Sequence, residues 1–253
     1  INLATNHTLD KGVSGLETCL ETVHARPFDA VLGAFRTEEE STQLCILEKQ
    51  GIRFGFLSYT YGLNGYRLPS DKQWKIALID ETKIQNDLAA IRPECDYLIV
   101  SMHWGNEYQT TESSYQNELA QLLCDGGADL IIGTHPHTLQ PIVFDENAGT
   151  LVAYSLGDFF GDRAHSGTEY SVLLDLQITR NGVTGEVSIT GFDYTPLFLV
   201  DDTQTGGTLR VLRLKEAMES YESHFLGCVS KDVYEDMKHA MERIEARIHA
   251  KVK

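Results

Sequence analysis

At 253 residues and 42% apolar, with no apolar run near the ~20 residues that a membrane-spanning helix needs, the chain suits a large globular α/β domain, or one with a small appendage. Its formal charge of −16 argues against nucleic acid as a partner and against unaided binding to an anionic membrane. The five cysteines (Cys19, Cys45, Cys95, Cys124 and Cys228) are scattered and form no CxxC pair, which predicts small core residues rather than a zinc ribbon or disulfide framework.

The chain opens on Ile1-Asn2-Leu3-Ala4, a strand-like start that runs straight into Asn6-His7. A natural domain seldom begins inside its own sheet, so a further segment upstream is expected. Asp10 and Ser14 are candidate caps for a helix whose apolar face carries Val13, Leu16, Cys19, Leu20 and Val23 and which stops before Pro27. Ala30 to Gly33 reads as a short strand and the acidic run Thr37 to Thr42 as a loop. Leu44 to Leu47 and Ile52 to Ser58 read as paired strands around Lys49-Gln50-Gly51. The second of these delivers Tyr59-Thr60-Tyr61-Gly62-Leu63-Asn64-Gly65, a loop whose glycines and Asn64 mark exposure and whose tyrosines supply contact surface. Tyr61 and Asn64 are its candidate ligand-contacting residues, with packing of the tyrosines against the sheet as the alternative.

Lys75 to Ile79 is expected to be a strand, and Glu81 to Ile91 a helix ending before Pro93. Asp96-Tyr97-Leu98-Ile99-Val100-Ser101-Met102 is the clearest buried strand, and it delivers His103-Trp104-Gly105-Asn106-Glu107. A helix from about Ser113 to Cys124 leads through Gly126-Gly127 into Leu130-Ile131-Ile132, the strand before Gly133-Thr134-His135-Pro136-His137. A right-handed crossover returns the chain parallel, so His103 and His135 should share one edge of the sheet. That edge, at the carboxyl ends of the strands, is where open α/β sheets bind ligands. Three separate strands thus end in His or Asn-His, and neutral imidazoles placed there suit Zn, Mn or Fe.

Past His137 the pattern turns antiparallel, with strands at Pro141 to Phe144, Thr150 to Tyr154, Tyr170 to Ile178 and Val183 to Phe192, the last two joined at Arg180-Asn181-Gly182. Ser155-Leu156-Gly157-Asp158-Phe159 follows one of these strands and can return to the crevice. From Leu214 the pattern is helical, and Met237, Met241, Ile244 and Ile248 form a packing stripe.

At these motifs the chain resembles the CapA family, the bacterial capsule or poly-γ-glutamate synthesis proteins with a calcineurin-like metallophosphatase fold. The resemblance spans roughly residues 1 to 200. It is carried by Leu3-Ala4-Thr5-Asn6-His7 with Asp10 and Gly12, Tyr59-Thr60-Tyr61-Gly62, and His103-Trp104-Gly105 with Glu107. Gly133-Thr134-His135-Pro136-His137 with Gln140, and Tyr154-Ser155-Leu156-Gly157-Asp158-Phe159, complete the set. Thr5 and Asp158 stand where Asn is usual in the family, and Thr134 where His is common.

The resemblance implies a metallophosphatase-like α/β sandwich of mixed sheets over residues 1–200 and a helical C-terminal extension over 201–253. It also implies that Asn6, His103 and His135 ligate one divalent metal (Mn, Zn or Fe), that His137 ligates a second, and that His7 protonates a leaving group. Glu107 and Asp158 would orient the histidines from behind. Two ions about 3.5–4 Å apart would polarise a phosphoryl oxygen and activate a bridging water. Relatives carry a strand ending in Gly-Asp and an Asn-Leu-Glu segment before the Asn-His motif, and neither stands upstream of Asn6 here. The bridging carboxylate is therefore not among these residues, and this chain alone is expected to be inactive. Implied partners are an anionic exopolymer or its precursor, the capsule synthesis machinery, and a missing N-terminal segment or a second copy of the chain. The implied place is extracellular or at the cell surface, membrane-anchored in the full-length protein. The rival expectation is a non-catalytic assembly or export component that keeps the fold.

Overall fold

The computed structural model of the chain describes residues 1–145, 149–161, 163, 165–201, 208–224 and 229–248. Cys228 and parts of the C-terminal extension lie outside them. The helix α1 (Gly12–His24) buries Leu16 and Leu20. Cys19, expected on that apolar face, is exposed instead. Neither expected cap is used: the N-cap position is Lys11 with no side-chain cap, and Asp10 pairs with His7.

Strands β1 (Cys45–Lys49) and β2 (Ile52–Thr60) form a hairpin with Lys49 opposite Ile52. Gln50 and Gly51 both take positive φ (54° and 76°), the conformation that a two-residue hairpin turn requires. After α2 (Glu81–Ile91), capped by the Asp80 carboxylate on the Lys83 amide, comes β3 (Tyr97–His103). Then α3 (Ser114–Asp125), closed by a capping box between Ser113 and Gln116, leads to β4 (Leu130–Thr134). With β5 (Ile142–Asp145) and β6 (Thr150–Ala153) these strands make one six-stranded sheet in the order β1-β2-β3-β4-β6-β5. Strands β2, β3, β4 and β6 run parallel, and β1 and β5 are antiparallel at the two edges.

The pleat sorts side chains by parity, as a period of two demands. Leu98, Val100 and Met102 of β3, Ile131 of β4 and Val152 of β6 pack with Ile84, Leu88 and Ile91 of α2 and Leu119 and Leu123 of α3. Tyr97, Leu130, Leu151 and Ala153 point the other way. There they meet a second, antiparallel sheet of β7 (Tyr170–Arg180), β8 (Val187–Asp201) and β9 (Leu209–Arg213), together with α4 (Leu214–Glu222) and α5 (Lys231–Glu245). Met237 and Ile244 of α5 are fully buried in that layer, with Met241 and Ile248 packed beside them.

Several expected strands are shorter or displaced. Ile1 to Ala4 and Ala30 to Gly33 meet only at an Asn2–Leu32 bridge, and Lys75 to Ile79 gives single bridges at Ile76 and Leu78. A 3₁₀ segment, Ser70–Lys75, occupies the start of the last of these, and Lys75 is buried beside Glu17 at 3.2 Å. Strand β8 starts at Val187 rather than Val183, because Asn181 N donates to the Glu186 carbonyl and closes a wider turn. It runs on to Asp201, where β9, not expected from the sequence, pairs with it from Leu197 onward. Pro196 is tolerated because β9 pairing begins one residue later, so the missing N–H leaves no gap.

Candidate functional site

The parallel register sets Thr60 beside His103 and His103 beside Thr134. Loops after β2, β3 and β4 therefore leave the same edge, and the Asn6-His7 turn packs against them.

His103, the last residue of β3, is buried and has both ring nitrogens engaged. Nδ1 lies 2.9 Å from the Thr134 hydroxyl and Nε2 2.9 Å from Asn6 Oδ1. Asn6 Nδ2 donates to Asn64 Oδ1 at 2.9 Å, so Asn6 Oδ1 is the acceptor. His103 therefore carries its proton on Nε2, and its Nδ1 accepts from Thr134. Burial, reinforced by the neighbouring histidines, pushes its pKa down to about 3.

His135 is the strained member. Its φ is 97°, it is 8% exposed, and its Nδ1 is buried with no hydrogen-bond partner. Its ring centroid lies 4.9 Å from that of His103 and 6.1 Å from that of His137. Burial lowers its pKa, against the opposing pull of Glu107. His137 (φ 62°) sets Nδ1 3.0 Å from Asp158 Oδ2, and Nε2 4.0 Å from Glu107 Oε1. The Asp158 hydrogen bond raises its pKa.

Asn64, Tyr108, His135 and His137 are four of the six non-glycine residues with positive φ among the described residues. Such strain persists only where the surroundings over-determine it, and it gathers at functional sites.

Tyr61 roofs the cluster. Its N–H donates to the His103 carbonyl at 2.9 Å, and its ring lies 4.5 Å from His135 and nearly parallel to His103 at 6.3 Å. Asn64 reaches both Asn6 and, at 3.3 Å, His7 Nδ1. His7 is largely exposed, with its Nδ1 2.7 Å from Asp10 Oδ2. All nine residues singled out in the sequence thus gather at one edge.

The ligands that the resemblance implied for one ion stand together, with Asn6 Oδ1 2.9 Å from His103 Nε2 and the His103 ring 4.9 Å from that of His135, and a second grouping overlaps them. Glu107, His135 and His137 can each offer one ligand atom, all within 4.8 Å of one another. Asn6 and His103 share a hydrogen bond beside this group. One carboxylate and two imidazoles, one of them with an orphaned buried nitrogen, are a donor set that fits Zn, Mn or Fe.

Two supports had no assigned role in the sequence. Trp104 Nε1–H donates to the Tyr154 carbonyl at 2.9 Å, directly over Gly133, where an added Cβ would lie 1.9 Å from that oxygen. Fully buried Gln140 donates to the carbonyls of Gln109 and Thr111, and its Oε1 accepts from Gln116 Nε2 at 2.8 Å, bracing the loop that carries Glu107. Tyr108 was missed altogether; its ring stacks on His137 at 5.6 Å. Its only signal was an aromatic next to Glu107.

Comparison with known proteins gives a family. Residues 1–163 match the model of the bacterial capsule synthesis protein PGA_cap. The chain belongs to this family. It is 30% identical over 202 residues to the PGA biosynthesis protein CapA of Bacillus subtilis (strain 168), covering 76% of this chain and 50% of the relative. With the capsule biosynthesis protein CapA of Bacillus anthracis it shares 29% over 186 residues, 72% of this chain and 44% of that one. The chain thus spans about half the length of the curated relatives it matches. Among solved structures, a putative 5′-nucleotidase from Staphylococcus aureus superposes with a TM-score of 0.52 at 15% identity, covering 94% of this chain and 41% of the other. That likeness establishes the fold, which is metallophosphatase-like, with mixed sheets and a helical C-terminal segment. Among the described residues no helix is long and apolar enough to cross a membrane.

Proposed function

We propose that the edge formed by β2, β3 and β4 is a divalent-cation site serving phosphoester hydrolysis or transfer in capsule or poly-γ-glutamate production at the cell surface. The observation that carries this reading is the group of Glu107, His135 and His137, whose ligand atoms lie within 4.8 Å of one another, in a residue set where His135 also has a buried Nδ1 without a partner. A buried polar atom without a partner is costly, and a cation is the simplest partner for an imidazole lone pair next to a carboxylate.

Glu107, His135 and His137 would hold the ion, and Asp158 fixes the His137 ring so that Nε2 faces it. A bound divalent cation supplies Lewis acidity and a more acidic bound water. Asn6 and His103, locked together, form the dry wall behind, and they become ligands only by releasing each other. His7, oriented through Nδ1–H on the Asp10 carboxylate, can as the imidazolium give its Nε2 proton to a leaving-group oxygen and is left neutral. Tyr61 and Asn64 stand over the site as substrate contacts.

In the longer protein a second cation and the bridging carboxylate would come from residues outside this chain, which by itself is then inactive. The partners would be an anionic exopolymer or its precursor and the capsule machinery. The Asn6–His103 pairing, complete without an ion, favours a second reading: a non-catalytic assembly component that keeps one structural cation. Metal content and phosphodiester turnover decide between them, measured on this chain and on a form extended upstream. Turnover by the extended form, abolished by Glu107→Gln and His135→Ala, supports the enzyme. Bound cation without turnover in either form supports the assembly role, and an absence of bound cation from both overturns the site.

A further inference from the structure

Beside His137 lies a small pocket of about 210 Å³ lined by Tyr108, His137, Asp158, Phe160, His165 and Thr168. Three of these side chains form a ladder: Tyr108 stacks on His137 at 5.6 Å and on His165 at 3.7 Å, with interplanar angles of 21° and 22°. The Thr168 hydroxyl donates to the His165 carbonyl at 2.8 Å and fastens the base of the ladder. Phe160 lines the same pocket yet is 58% exposed. Phe159 beside it is exposed as well, so two neighbouring apolar rings stand in water next to a largely apolar pocket. Gly161 lets its loop close on Asp158, because a Cβ there would stand 2.7 Å from Oδ2.

We infer that this pocket is a subsite for one hydroxylated ring, a glycosyl unit joined to the anionic group that the Glu107–His135–His137 site would bind. The inference rests on the cation reading for the anionic end of the ligand only. Pockets for drug-sized ligands run to about 300–1,000 Å³, so this one holds a single ring. Aromatic faces are negative, and the C–H faces of a sugar ring are slightly positive, so Phe160 offers a stacking surface. The Asp158 carboxylate has about four lone-pair positions, of which the His137 Nδ1 bond takes only part, and the rest can accept from ring hydroxyls. The same carboxylate repels a ring that is itself anionic.

The test compares binding of glucose 1-phosphate and methyl phosphate by calorimetry with Mn²⁺ present, in the wild type and in Phe160→Ala and Phe160→Trp. The sugar phosphate should bind roughly five- to tenfold tighter than methyl phosphate. Phe160→Ala should erase the preference and Phe160→Trp keep it, with methyl phosphate affinity unchanged in both. A second arm uses methyl α-glucoside without cation, read by saturation-transfer NMR, where ring C–H signals should weaken in Phe160→Ala. Equal affinity for the two phosphates, or a preference that survives Phe160→Ala, overturns the ring subsite and leaves the cation site standing. Binding of the glucoside with neither phosphate bound sinks the cation reading and keeps the subsite. No transfer to the glucoside and no preference between the phosphates removes the subsite outright.

Discussion

His103 is buried beside other histidines, which disfavours its charged form, and this makes stability depend on pH. Its folded-state pKa of about 3 lies below the ordinary 6.5. The unfolded chain therefore binds a proton that the folded chain refuses between those values. The stabilisation is complete above about pH 6.5 and is lost as pH falls toward 3. His137 has the opposite sign: its raised pKa gives stability that is present below 6.5 and lost as pH climbs through the raised value. In cation-free protein, His103→Gln should flatten the acid limb, so that its urea midpoint varies less with pH between 6.5 and 3 than the wild-type midpoint. Parallel limbs would show that His103 titrates normally. Gly133 is tested more bluntly. A methyl group there meets the Tyr154 carbonyl and the Trp104 indole, both fixed, so Gly133→Ala should cost about 3 kcal/mol in urea unfolding.

Between elements, the Gln116–Gln140 pair couples α3 to the loops around Glu107. Gln140→Leu keeps the bulk but strands the carbonyls of Gln109 and Thr111. It should lower stability by about 2 kcal/mol and weaken divalent-cation binding roughly tenfold or more, read by calorimetry. Such couplings were only partly legible. Tyr97 to Met102 and Leu130 to Ile132 could be read as buried parallel strands because their apolar runs are unbroken and each ends in a polar loop. Ile1 to Ala4 and Lys75 to Ile79 were overcalled, since alternation reports half-burial and not whether a neighbour runs alongside. Strand β9 escaped notice because Arg210 and Arg213 dilute a five-residue run. At the site, residue types and strand ends named the histidines. Their pairing (Asn6 with His103, Glu107 with His135 and His137) depends on positive φ at Asn64, His135 and His137, which no periodicity reports.

For the molecule as a whole, charge sets the terms of any encounter with polymer. A chain at −16 repels a polyanion until a cation or salt intervenes, and screening confines that repulsion to about 8 Å at physiological ionic strength. Poly-γ-glutamate should therefore bind weakly in chelator, and more tightly as Mn²⁺ or salt is added, as followed by sedimentation. Tight, salt-insensitive binding in chelator would contradict this. Glu107, His135 and His137 form the one three-ligand group of His, Cys, Asp or Glu among the described residues, so elemental analysis of this chain should find about one cation. Two per chain would mean that Asn6 and His103 give up their hydrogen bond.

The apolar interior also divides along a seam. Leu9, Leu16, Leu20, Ala34, Leu63, Leu68 and Ile76 form a small cluster of their own, apart from the two that flank the six-stranded sheet. Asn6, His7 and Asn64 ride on the small cluster, while His103, Glu107, His135 and His137 belong to the sheet. In backbone bonds the two are joined at the Thr60–Leu78 bridge, where Thr60 N donates to the Ala77 carbonyl and Ile79 N to the Thr60 carbonyl. Cooperative units of this kind open separately. Amides of α1 should thus exchange with deuterium well before those of β3 and β4, and each opening would carry Asn6, His7 and Asn64 away from Glu107, His135 and His137. The site would then be assembled by docking rather than by folding, and whatever ligand bridges the seam would slow the exchange of α1 without touching it.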